Sequence, residues 1–208
     1  MRNFVFGFFV AIIVLLAGGY YVASNGYVPA RADVPPSALE KNVAIRSLYK
    51  SVNRDAAGLV SLVKPTDADL LAGIKMYGAN CAVCHGAADG KPSLLAQGFA
   101  VESPMLGSKD GGVEDDPENV TYTKVTHGIR FTAMPAFSKT LSDEQRWQIA
   151  AFVKRMDALP PGPDAAWKAL TSAAAGNVAA GGVAPASENS PAPKASDVQR
   201  STPSPGPM

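Results

Sequence analysis

Between Phe4 and Val22 the chain carries no charged residue, and its continuous run Phe4-Val-Phe-Gly-Phe-Phe-Val-Ala-Ile-Ile-Val-Leu-Leu-Ala17 is closed by Tyr20 and Tyr21. A helix over that stretch is long enough to cross the hydrocarbon core of a bilayer, which withdraws it from any globular core. At the other end, from Ala158 onward, Pro, Ala, Gly and Ser dominate and Trp167 is the sole aromatic residue. Such a stretch buries too little apolar surface to offset its ordering entropy and is expected to be mostly disordered. What remains is roughly 90 to 120 residues, room for one small domain. The 47% hydrophobic content and net charge of +1 are therefore averages over unlike zones. A large multi-domain enzyme is excluded. With no basic field and no Lys/Arg block, the sequence argues against nucleic acid as a partner as well.

The zones divide at residues 1–24 (a transmembrane anchor or uncleaved signal), 25–65 (a tether with a short amphipathic helix), 66–157 (the folded domain) and 158–208 (the tail). A cleaved signal peptide would need small residues soon after the apolar run. Ala30 and Ala32 have the right spacing but lie well beyond it, which favours a retained anchor. Arg2 on one side and Arg31 and Lys41 on the other do little to orient it. Ser37-Ala-Leu-Glu40 is a capping box opening a helix with Ile45, Leu48, Tyr49 and Val52 at helical spacing. Residues 31 to 64 are basic, a pattern that suits either a solvated face or anionic headgroups. Thr66-Asp-Ala-Asp69 reads as a second box, before a helix that aligns Leu70, Ile74, Tyr77 and Cys81. Residues 86 to 117 read as loop. Asp116 offers an N-cap and Pro117 a first-turn residue for a helix to about 127, ended by Gly128. Ser142-Asp-Glu-Gln145 caps a last helix that buries Ile149, Phe152, Val153 and Met156. Within the tail, Pro163 to Leu170 has a helical pattern of one or two turns that would dock Trp167 back on the domain. No strand period is long enough to argue for a sheet, so the fold class is all-α.

Chemistry concentrates at Cys81-Ala-Val-Cys84-His85, the chain's only two cysteines followed at once by one of its two histidines. Two thiols three positions apart at a helix end reach the two vinyl groups of a porphyrin, and the next imidazole can swing under the iron. A thioredoxin-like pair would need a βαβ setting, and a zinc half-site would need a second pair of ligands, which is poorly supplied because His127 is the only other histidine and no cysteine remains. The motif thus implies one covalent haem c with its iron. It also implies a domain on the outer side of an energy-transducing membrane, where such thioethers are made. For the sixth ligand, Met134 is favoured: it lies in a helix-free stretch, and Pro135 biases it toward extended backbone. Met105 and His127 are the alternatives. Met76 and Met156 fall at core-like helical positions. Arg130 is a candidate partner for a haem propionate.

The order Gly73-x-x-x-Tyr77-x-x-x-Cys81-x-x-Cys84-His85-Gly86, then Gly128-Ile-Arg-Phe-Thr-Ala-Met134-Pro-Ala-Phe137, then Leu141-Ser-Asp-Glu and a terminal helix with Phe152, resembles class I monohaem cytochromes c. The anchor and the Thr-Asp lead-in resemble the membrane-anchored bacterial members. The resemblance covers residues 66 to 157 and, more loosely, 1 to 65. It implies the class I cytochrome c fold, a small helical domain around covalent haem, whose first and last helices cross where a small residue permits close approach. Gly73, Tyr77 and Phe152 fit that crossing, while the carbonyl that orients His85 is left open. Iron held by imidazole and thioether offers no position to a small-molecule substrate, so the implied role is one-electron carriage between redox partner proteins rather than enzyme catalysis. The implied location is the bacterial cytoplasmic membrane, single-pass, with the haem domain in the periplasm. Two other roles remain open: a permanent electron-accepting subunit of a membrane-bound dehydrogenase or oxidase complex, and a sensor or peroxidase with an exchangeable sixth site. Residues 66 to 157 hold nine Lys/Arg against twelve Asp/Glu. Asp110, Glu114, Asp115, Asp116 and Glu118 form an acidic stretch that suits a solvated loop or a basic partner.

Overall fold

Apolar positions at helical spacing decide which segments coil, and short polar side chains decide where each begins. The computed structural model describes residues 2–91, 94–107 and 116–170. Among these it is helical, with no strand: α1 Arg2–Ser24, α2 Ala38–Ala56, α3 Asp67–Asn80, α4 Ala82–His85, α5 Glu118–His127, α6 Asp143–Lys154 and α7 Pro161–Ala169. Asp110, Glu114 and Asp115 of the acidic stretch, and the tail from residue 171, lie outside the described residues.

Two of the three expected capping boxes form in full. Ser37 Oγ accepts from the Glu40 N–H at 3.2 Å while Glu40 accepts from the Ser37 N–H at 3.4 Å, and Ser142 and Gln145 do the same at 3.2 and 2.9 Å. At α3 the reciprocal bond is missing. Thr66 Oγ1 accepts from the Asp69 N–H, but the Asp69 carboxylate takes the Thr66 hydroxyl at 2.7 Å instead of the cap's N–H. The start of α5 also differs from expectation: Pro117 stands at the cap, and Asp116 pairs with Lys124 at 2.5 Å rather than capping. Asp116 stands one position before the cap, and its carboxylate is taken by the Lys124 ammonium in a charge-assisted bond.

The core forms where α3 crosses α6. At Gly73 the backbones are so close that a Cβ would stand 2.3 Å from the Gln148 carbonyl oxygen. Leu70, Ile74, Ile149, Val153 and Met156 fill the crossing. Tyr77, Phe152 and Trp167 meet edge to face with centroids 5.2 to 5.5 Å apart, a geometry that aligns positive ring edges with negative faces. Tyr122 of α5 stacks on Trp147 of α6 at 4.1 Å, and the Arg146 guanidinium lies over the outer face of the tyrosine. Arg146 is buried and paired with Asp143.

Two boundaries differ from those read in the sequence. The packed unit does not stop at residue 157. α7 buries Pro163 and Trp167 against α3, the docking expected from the helical pattern of residues 163–170, and so extends the packed unit to the end of that helix. Nor is the segment 25–65 a free tether throughout. Val52 and Ala56 of α2 pack on Val120 of α5, Asn119 donates to the Ala56 carbonyl at 2.9 Å, and the Lys124 ammonium lies over the Tyr49 ring. Periodicity showed an apolar face on α2 but not what would cover it.

Candidate haem site

Cys81 closes α3 and opens α4. Its N–H donates to the Tyr77 carbonyl at 2.8 Å, and its own carbonyl accepts the N–H groups of both Cys84 and His85 at 2.9 Å. The helix thus bends by one residue and restarts as a single turn, which sets Cys81 and Cys84 on one side of the backbone and delivers His85 immediately after. Gly86 then leaves the turn at φ +74°, a conformation that a side chain would strain. The buried Tyr77 hydroxyl fixes this exit by donating to the Gly86 carbonyl at 2.8 Å.

A second segment, residues 104–107, closes over the turn. The Leu106 N–H donates to the His85 carbonyl at 3.0 Å, and Gly107 lies so near Ala87 that a Cβ would come within 2.2 Å of its oxygen. This contact answers the question of the orienting carbonyl: Nδ1 of His85 is 2.9 Å from the Pro104 oxygen. A carbonyl only accepts, so Nδ1 carries the proton and Nε2 keeps its lone pair. Burial pushes the imidazole pKa below its ordinary value, opposed by the Pro104 contact. The neutral form is the one a metal binds.

Burial, reinforced by the neighbouring Cys84, pushes the Cys81 thiol up to about 12, and burial raises Cys84 too. A dithiol redox centre needs the opposite shift, toward thiolate, so the site is unlike a thioredoxin pair. Among the described residues no cluster of three metal-binding side chains occurs that would make a zinc site. A buried Cys81 and a half-buried Cys84 beside a neutral, oriented imidazole fit a covalently held porphyrin whose iron would take Nε2.

The candidate sixth ligands differ in setting. His127, the last residue of α5, is exposed. Met105 belongs to the segment that orients His85, with its sulfur 3.3 Å from where a Gly86 Cβ would be. Met134 ends a tight loop of its own. Its carbonyl accepts the Ile129 N–H at 3.1 Å, and its N–H donates at 3.1 Å to Thr132 Oγ1, which itself donates to the Ile129 carbonyl at 2.7 Å. The loop turns at Gly128, φ +65°, where a Cβ would meet the backbone of residues 134–136 at 2.6 to 2.7 Å. Phe131 also lies in the left-handed region, at φ +63°, the only non-glycine to do so among the described residues. Met134 is half-buried against the main core, while Arg130 is exposed. Sequence reasoning missed Pro104, because a backbone acceptor nineteen positions away leaves no side-chain signal.

An all-helical domain with a Cys-x-x-Cys-His turn at the end of its first helix, crossed by its penultimate helix at a glycine, defines a c-type cytochrome. The family model for cytochrome c oxidase, cbb3-type, subunit III, matches residues 68–153. Cytochrome c6 of Picosynechococcus sp. is 36% identical over 88 residues, 41% of this chain and 72% of that protein. Cytochrome c6 of Limnospira maxima is 32% identical over 85 residues, 41% of this chain and 90% of the relative. That of Tetradesmus obliquus is 37% identical over 86 residues, 41% and 89%. No solved structure matches the chain. The chain belongs to the class I monohaem cytochromes c and carries covalently bound haem c with its iron.

Proposed function

We propose that Cys81 and Cys84 would form the two thioethers, that His85 Nε2 and the Met134 sulfur would hold the iron, and that the protein is a membrane-anchored carrier of single electrons. The observation that carries this reading is the Pro104 carbonyl on His85 Nδ1, which holds the ring and leaves the Nε2 lone pair free. The haem supplies an iron that gains and loses one electron with its ligands in place, and a thioether favours the ferrous form. The chain's part is to hold that geometry still. The Tyr77 hydroxyl and the Leu106 N–H pin the backbone of the ligand turn, and the Thr132–Ile129 bonds brace the Met134 loop. With His85 and Met134 both holding the iron, no position would be left for a small molecule, and the bound group would supply one-electron exchange with partner proteins.

α1 is apolar and long enough to cross a membrane and is not buried against the rest of the chain. Retained as a single-pass anchor, it would keep the domain on the periplasmic face of a bacterial cytoplasmic membrane, where thioethers are made. A second reading, a permanent haem subunit of a membrane-bound dehydrogenase or oxidase complex, is favoured by the description of the matching family model. Purification from detergent separates the two: a carrier elutes alone, a subunit with its complex.

The ligand assignment is tested by absorption spectra of the holoprotein, oxidised, reduced and under carbon monoxide, beside Met134→Ala. The expected result is a long-wavelength sulfur-to-iron band and indifference to carbon monoxide in the wild type, with the variant losing the band and binding the gas. A wild type that binds carbon monoxide or lacks the band refutes Met134 and puts sensing or catalysis ahead of electron carriage.

A further inference from the structure

α2 has two faces with different surroundings. Val52 and Ala56 are seated on α5, with Leu48 beside them. Leu39, Val43, Arg46, Lys50 and Arg54 follow at i, i+4, i+7, i+11 and i+15, which aligns them in one stripe on the opposite side. All five are exposed. No acidic residue lies on the stripe, and among the described residues Arg54 alone of its three cations has an ion-pair partner, the exposed Asp55. The apolar pair stands at the end nearest α1 and the cations follow.

We propose that this stripe rests on an anionic phospholipid surface and thereby holds the haem domain in one attitude above the bilayer. The inference builds on the anchored reading of α1 and adds to it the face that meets the membrane. Three observations favour lipid over a soluble partner. First, residues 25–37 between α1 and α2 span at most about 45 Å when fully extended, so the start of α2 cannot leave the membrane surface by more than that. Tyr20, Tyr21 and Tyr27 are exposed at the end of α1, with the rings of Tyr21 and Tyr27 6.1 Å apart, as an interfacial aromatic belt would have them. Second, tethering makes contact intramolecular, so a few weak cation–headgroup attractions suffice, with Leu39 and Val43 entering the boundary region. Third, residues 66 to 157 carry more acidic than basic side chains, so an anionic surface repels the rest of the domain and admits this face. Because α2 is fixed to α5 through Val120 and Asn119, an attitude imposed on α2 is imposed on the haem site.

The test uses the full-length holoprotein in nanodiscs, reduced so that low-spin iron is diamagnetic, with a nitroxide on Ser47→Cys beside the stripe or on Ala165→Cys of α7 as a control. The readout is relaxation of the nitroxide by nickel-chelating lipid. In discs containing phosphatidylglycerol the Ser47 label should relax several-fold faster than in phosphatidylcholine discs, the Ala165 label should not change, and raised salt should abolish the difference. Arg46→Glu with Lys50→Glu should reduce the surface-bound population at least about tenfold with the haem spectrum intact. A Ser47 label indifferent to lipid charge, or an enhancement that survives the charge reversal, overturns the proposal and leaves the stripe to an acidic protein partner. Failure of the holoprotein to enter discs at all is a separate outcome: it refutes the anchor, and this inference falls with it.

Discussion

Gly73→Ala tests whether the α3–α6 crossing is the structural centre of the domain. The added methyl would lie 2.3 Å from the Gln148 carbonyl oxygen, 2.9 Å from its carbon and 2.9 Å from Phe152 Cβ. Two of these atoms are backbone, so no rotamer change relieves the clash and the helices must separate by about 1 Å to restore van der Waals contact. The cost is at the top of the usual overpacking range, about 3 kcal/mol. Removing a helical glycine returns about 1 kcal/mol, leaving a net loss of about 2 kcal/mol. In a domain of this size that lowers Tm by about 8 to 16 °C. Gly78→Ala on the same helix is the control, because there the methyl meets only the flexible end of Leu170 at 3.1 Å. It should be neutral or mildly stabilising. Thermal and guanidinium unfolding of the holoproteins, followed by far-ultraviolet circular dichroism and the haem bands, reads both. A Gly73→Ala protein as stable as wild type, or two variants that behave alike, would refute the close-crossing argument.

Trp167→Ala should destabilise the holoprotein by about 3 kcal/mol, because the indole is buried between Tyr77 and Phe152; an unchanged unfolding midpoint would show α7 to be an ornament on the domain. Tyr77→Phe removes the donor to the Gly86 carbonyl and should cost about 1 to 2 kcal/mol while leaving the axial ligation spectrum in place. At Asp69 the Thr66 hydroxyl, foremost, and the Gln148 amide hold the carboxyl below its usual range against the opposing effect of burial. A depressed carboxylate stabilises the folded chain above its unfolded pKa, and that contribution disappears as pH falls through the folded value. Asp69→Asn should therefore lose less stability than wild type between neutral pH and about pH 3 in urea titrations; parallel losses would show that Asp69 contributes nothing to acid sensitivity.

Much of the fold is legible because its instructions are local. Ser37 with Glu40 and Ser142 with Gln145 announce two helix starts within four residues, and Leu70, Ile74, Tyr77 and Cys81 mark one buried face by spacing alone. What is not legible depends on partners far along the chain. Asn119 meets the Ala56 carbonyl 63 positions away, so the docking of α2 on α5 has no neighbourhood signal. Asp116 looks like a cap until Lys124 is folded beside it. Trp167 is a mixed case: the helical pattern of residues 163–170 announces that it docks, but not that Tyr77 and Phe152 are the rings it docks on.

The same division runs through the site. Attaching a porphyrin needs two thiols and an imidazole, side chains that one turn can present, so that chemistry is written in five consecutive letters. Aiming the imidazole needs only an acceptor at one point in space, and every residue carries a carbonyl. The sequence can therefore declare His85 without declaring Pro104, since what matters at 104 is where the backbone passes and not which side chain it bears. Met134 is an intermediate case. Its sulfur is a letter, but its place depends on Gly128 being free of a side chain and on Thr132 tying the loop back to Ile129. Gly128→Ala should accordingly resemble Met134→Ala more than a surface change, weakening the sulfur-to-iron band although Met134, the proposed ligand, is still present. Full retention of that band would show that the loop reaches its position without the glycine.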